Sequence, residues 1–108
     1  MKRYCFALDL NEDPNLIEEY KAYHKEVWPE ILDDIKESGI STMDIYSVEN
    51  RLFMIMEVVD EVAYEESKLK EPKAIVKKWE DLMWKYQKAL PNSKPNEKWR
   101  LMDHIFKL

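Results

Sequence analysis

Apolar residues alternate along residues 4–10, YCFALDL, so that Tyr4, Phe6, Leu8 and Leu10 share one side; this predicts a strand. The polar stretch NEDPN that follows predicts a helix start, with Asp13 as N-cap and Pro14 as the first helical residue. That helix is expected to pass through Tyr20 and His24 toward Trp28. There Pro29 denies the i→i−4 hydrogen bond and imposes a kink or a restart. A second helical piece, EILDDIKES, runs up to Gly39, the only glycine in the chain, which suits the residue just past a helix end. TMDIYSV (42–48) and RLFMIMEVV (51–59) read as strands joined by a tight hairpin at Glu49 and Asn50. Helical spacing returns over 62–70 and 74–90, two pieces separated by Pro72, with Ile75, Trp79, Leu82, Met83 and Tyr86 on the repeating face. KWRLMDHIF (98–106) predicts a closing strand.

The predicted order is β-α-β-β-α-β, an α+β ferredoxin-like arrangement with helices on one face of an antiparallel sheet. One domain spanning residues 1–108 is expected, since the length suits one compact unit and is too short for two. The second sheet face needs a cover as well. In the strand 51–59, Met54 and Met56 have one parity and Phe53 and Ile55 the other, so both sides are apolar. Two copies meeting sheet to sheet would supply that cover, and a homodimer is the simplest closed symmetry.

Composition narrows the partners. A net charge of −5 opposes binding to nucleic acid phosphates or to anionic membrane surfaces. The N-terminal apolar run is too short for a signal peptide, and nothing approaches the roughly 20 apolar residues of a membrane span. A single cysteine, Cys5, cannot form an intrachain disulfide, which suits a reducing cytoplasm. One cysteine and two distant histidines make no zinc pattern, and a single glycine excludes phosphate-cradling glycine loops. A small neutral ligand is the partner the charge balance accommodates best, with no metal or cofactor called for.

The densest candidate chemistry lies in YKAYHKEVWPE, residues 20–30. Tyr20 and His24 are spaced i, i+4 and share a helix face, with Trp28 a turn further on. The plainer reading of such a pair is a half-buried histidine with its hydrogen bonds satisfied. The alternative is a ligand site, in which nearby Trp28, Tyr23 and Trp79 offer aromatic faces to a molecule with a polar rim and an apolar side. Glu57 interrupts an apolar strand; it belongs to such a site, or it pairs at an edge with a basic residue. Asp44, Asp103 and His104 fall in strands too, and edge or solvent positions suit the two aspartates better.

YKAYHKEVWPE, the LFMIMEV strand, the tryptophan-bearing helix and the closing -IFKL together resemble the L-rhamnose mutarotase family of small sugar anomerases, over essentially the whole chain. The resemblance implies a dimeric α/β barrel that interconverts the α and β anomers of a 6-deoxy-L-hexose without cofactor. It implies that His24 is the acid/base and that Tyr20 and Trp79 bind sugar. Relatives acting on L-rhamnose carry a sugar-contacting tyrosine where Met43 stands and a second tryptophan where Glu80 stands. Tyr46 is the nearest aromatic that could compensate. These differences bear on which hydroxyls are recognised, and L-fucose is the other sugar of the same kind.

Mutarotation opens the ring hemiacetal, rotates the C1 aldehyde and recloses the ring. It needs one proton given to the ring oxygen and one taken from the anomeric hydroxyl, work suited to a histidine side chain. His24 is expected to exchange one proton, with Trp79 and Trp28 as stacking walls. Glu57, Glu80, His104 or a bound water are candidates for the other. Other dimeric barrels of this architecture are cofactor-free oxygenases or haem-degrading enzymes, and a non-catalytic sugar-binding domain is a third possibility.

Overall fold

The computed structural model describes residues 1–108. β1 (Lys2–Leu10) is followed by α1 (Pro14–Tyr23), α2 (Pro29–Glu37), β2 (Ile40–Val48), β3 (Arg51–Val58), α3 (Glu61–Leu69), α4 (Ala74–Trp84), β4 (Gln87–Lys88) and β5 (Arg100–Leu101). The strands form one antiparallel sheet in the order β2-β3-β1-β4, with β5 also paired to β1. Each of the two helical connections is a pair of helices broken at a proline, Pro29 and Pro72, as the sequence predicts.

Local chemistry explains most boundaries. The Asp13 carboxylate accepts from the Asn15 N–H at 2.8 Å and caps α1, with Pro14 in the first turn where its missing N–H costs nothing. α1 does not reach Trp28: it stops at Tyr23, and the His24 and Lys25 amides tighten onto the Lys21 and Ala22 carbonyls. Trp28, held extended by the proline after it, opens α2 by accepting from the Ile31 and Leu32 amides. Gly39 then takes φ +81°, and a Cβ there would sit 2.3 Å from the Asp60 carbonyl oxygen. Its own carbonyl accepts from the Val59 and Asp60 amides, tying the end of α2 to the end of β3.

Two expectations at the C-terminal side need correction. The helix predicted over 74–90 ends at Trp84, because Asn11 captures the chain: its side-chain amide donates to the Lys85 carbonyl and its backbone N–H to the Tyr86 carbonyl. Residues 87–88 are thereby released to pair with Asp9 and Leu10 as β4. The strand predicted over 98–106 shrinks to Arg100–Leu101, followed by one further bond from the Met102 amide to the Cys5 carbonyl. Beyond it Ile105, Phe106 and Leu108 are exposed.

The sheet's two faces differ. Leu8, Leu10, Leu52, Met54, Met56 and Val58 lie under the helices and are buried. A bulge between Ile40 and Thr42 shifts the parity of β2, so that Met43 and Ile45 join this face opposite Met56 and Met54. One core cluster joins Leu10, Tyr20, Ile31, Leu52, Trp79, Met83 and Tyr86; a second joins Ile40, Met56, Val58 and Tyr64. Cys5, Ala7, Phe53, Ile55, Tyr46 and Glu57 lie on the other face, which no helix of the chain covers.

Candidate functional site

The early end of α1 is what creates the site. It leaves His24 as the residue capping the helix, and the ring folds back along its own last turn. His24 Nδ1 lies 2.8 Å from the Tyr20 carbonyl oxygen, which can only accept, so Nδ1 carries a proton and Nε2 is the nitrogen left for a ligand. The Tyr20 and His24 ring centroids are 4.4 Å apart. Trp79 of α4 meets His24 edge-on at 5.8 Å and Trp28 at 5.0 Å. The i, i+4 pair and the tryptophan of a distant helix therefore converge as the sequence suggests.

Tyr20, His24 and Trp79 line a cavity of about 590 Å³ between α2, the edge strand β2 and α4. That volume lies within the usual range for small-molecule sites, about 300–1,000 Å³. Met43 and Glu80 contribute to its wall as well. Trp28 braces Trp79 from outside the lining. Tyr46 and Glu57 are not brought to this site: the pleat aims both at the opposite sheet face. There Tyr46 is exposed and Glu57 lies 3.6 Å from Arg3. His104 also lies outside it, in the exposed C-terminal segment, with Nε2 at 2.9 Å from the Phe106 carbonyl.

Among the lining residues that escape sequence reasoning are Gln87, Lys98 and Trp99. Gln87 was hidden inside a predicted helix and is placed by β4 pairing. Its Nε2 donates to the Tyr20 hydroxyl at 3.3 Å, while its Oε1 is buried with no partner. Leaving a buried acceptor unpaired costs about 1–3 kcal/mol in general, so such atoms call for an explanation. Burial pushes the Tyr20 hydroxyl above its ordinary range against the weaker opposing effect of the Gln87 bond, so it stays protonated at neutral pH. Burial likewise pushes the Lys98 ammonium down, with Glu80 and Asp81 opposing. Lys98 Nζ donates to the Glu80 carbonyl at 3.0 Å and lies 4.7 Å over the Trp84 ring. An amphiphilic run such as KWR after a proline-rich loop was the one available signal for Lys98 and Trp99.

Residues 3–108 match the family described as L-rhamnose mutarotase. An L-fucose mutarotase from Xanthomonas campestris pv. campestris is 41% identical over 113 residues, covering 100% of this chain and 89% of that protein. The chain belongs to the L-rhamnose mutarotase family. An L-rhamnose mutarotase from Listeria monocytogenes is 36% identical over 85 residues, covering 77% of this chain and 75% of that one. The crystal structure of an L-rhamnose mutarotase from Formosa agariphila superposes with a TM-score of 0.73 at 26% identity, covering 100% of this chain and 99% of the other. Mutarotases are isomerases, and this membership favours neither the oxygenase and haem-degrading readings nor the non-catalytic one. No helix is long and apolar enough to cross a membrane.

Proposed function

We propose that the protein is a mutarotase that interconverts the α and β anomers of a 6-deoxy-L-hexose, with L-fucose the preferred sugar. The observation that carries this reading is the His24 ring, held by Tyr20 through Nδ1, in the wall of an open cavity that Tyr20, Trp79 and Trp99 also line. L-fucose is favoured by the similarity over the whole of this chain to an L-fucose mutarotase, and by Met43 and Glu80, cavity-lining residues where the resemblance expects a tyrosine and a tryptophan in relatives acting on L-rhamnose. In this reading neutral His24 takes the anomeric hydroxyl proton through Nε2 as the C1–ring oxygen bond breaks. The ring oxygen takes its proton from a water at the exposed cavity rim beside Glu80. Rotation about C1–C2 and reversal of both transfers give the other anomer, with no net change in protons and no cofactor. Trp79 supplies the apolar wall, and Tyr20 donates its hydroxyl proton to the sugar.

The active form is a cytoplasmic homodimer in this account. A second copy covers the open sheet face, where Phe53 and Ile55 are half-buried and Tyr46 and Val48 exposed, and the exposed Ile105, Phe106 and Leu108 gain a partner there. The test of the activity is exchange between anomers, followed by NMR saturation transfer on L-fucose and L-rhamnose with and without protein. Acceleration of L-fucose exchange above that of L-rhamnose is expected; no acceleration of either contradicts the reading.

A further inference from the structure

Gln87 is the one side chain of the cavity wall with a buried polar atom that has no hydrogen-bond partner. It is 7% exposed, and the pairing of Gln87 with Leu10 sets it on the helix-covered face beside Tyr20. Its amide nitrogen is used, donating to the Tyr20 oxygen at 3.3 Å. Its amide oxygen is shielded from water and has no partner. Because the Tyr20 oxygen accepts from Gln87, the phenolic proton is left free to be donated elsewhere. Two neighbouring residues of the wall thus offer one free acceptor and one free donor.

We infer, on the footing of the sugar-processing reading above, that Gln87 is a specificity-determining residue that reads one ring hydroxyl of the substrate jointly with Tyr20. A sugar hydroxyl both donates and accepts, so it satisfies the pair at once: it donates to Gln87 Oε1 and accepts from Tyr20 Oη–H. A hydrogen or a fluorine at that ring position leaves the Gln87 oxygen buried and unpaired. The discrimination against such a sugar therefore comes from the empty acceptor as much as from the lost bond. His24 holds Tyr20 through its backbone carbonyl and Gln87 holds it through its hydroxyl, so proton transfer and hydroxyl reading share one anchored side chain.

The experiment measures kcat/KM for anomer exchange by NMR on the parent sugar and on analogues lacking the hydroxyl at C2, C3 or C4. Each rate is referred to its own uncatalysed exchange, for the native chain and for Gln87→Met. The native chain should lose about ten-fold or more on one analogue and much less on the other two. Gln87→Met should lose a similar factor on the parent and nothing further on that one analogue, with an unchanged pH profile because His24 is intact. A native chain that treats all three analogues alike overturns the inference, whether or not the variant folds. So does a variant whose losses on all four sugars are equal to those of the native chain multiplied by one factor. If the native chain accelerates no sugar at all, the mutarotase reading fails and the Gln87 role falls with it. Acceleration with a flat analogue series removes the Gln87 role alone.

Discussion

The two faces of the sheet are built from the same alternating strands yet end in opposite states. On the helix side Leu8, Leu52 and Val58 are almost wholly buried, and the cavity with His24 opens at the margin of that packing. On the other side Phe53 and Ile55 are half-buried, Tyr46 is 61% exposed, and the polar groups include Glu57 beside Arg3 and Asp9 paired with Arg51. The contrast teaches that apolar parity identifies surfaces that need cover, while the covering element decides which surface acquires a site. One face is closed by the chain's own helices, and their imperfect closure near α2 and α4 leaves room for a ligand. The other carries no helix of the chain, and we propose that a second copy covers it.

The largest break in this comparison is expected from His24→Ala, which removes the proton-transfer group from the helix side. Anomer exchange should fall about 10²–10⁴-fold while circular dichroism and the melting transition are retained. An active His24→Ala protein removes the assigned role. Next is Leu52→Ala, which opens a hole in the closed face and should cost about 2–5 kcal/mol in urea unfolding. A loss below about 1 kcal/mol would mean that the helices do not pack on β3 as described. On the open face, Ile55→Asp should convert a species of twice the 13.1 kDa chain mass into the single chain by sedimentation. If the native chain already sediments as one copy, the association surface is refuted. A smaller change is Asp13→Ala, expected to cost about 1 kcal/mol through the lost α1 cap.

The pH dependence of stability sharpens the same comparison. Burial raises the Tyr20 hydroxyl's pKa in the folded chain, so the folded state keeps a proton that the unfolded chain releases near pH 10. The stabilising contribution is present below that pH and declines as pH rises through the folded value. Tyr20→Phe should therefore flatten the alkaline fall in stability, in a urea titration at several pH values from about 9 to 11. A slope identical to that of the native chain contradicts the burial of this hydroxyl.

Much of this architecture is legible in the chain. Asp13-Pro14, Pro29, Gly39 and Pro72 act through local backbone chemistry, so the boundaries they set follow from the residues themselves. Tyr20 and His24 are equally legible, because helical spacing alone places them on one face. The end of α4 is not, since Asn11 captures it from across 74 residues and no local signal near Trp84 announces the break. Gln87 is lost to sequence reasoning for the same reason. Tyr46 and Glu57 fall on the open face, away from this cavity, and the sequence does not foretell it because either parity of an apolar strand can face the helices. The bulge after Ile40 and the pairing of β3 with β1 decide the matter only in three dimensions.

The central claim is that the cavity behind His24 speeds the opening and reclosing of a deoxysugar ring. Its most direct measurement is the rate of α-to-β exchange of L-fucose at equilibrium, by NMR saturation transfer, as the concentration of the native chain is raised. The account predicts an exchange rate that climbs in proportion to protein above the spontaneous rate and saturates with sugar. A rate that stays at the spontaneous value for both L-fucose and L-rhamnose would contradict it.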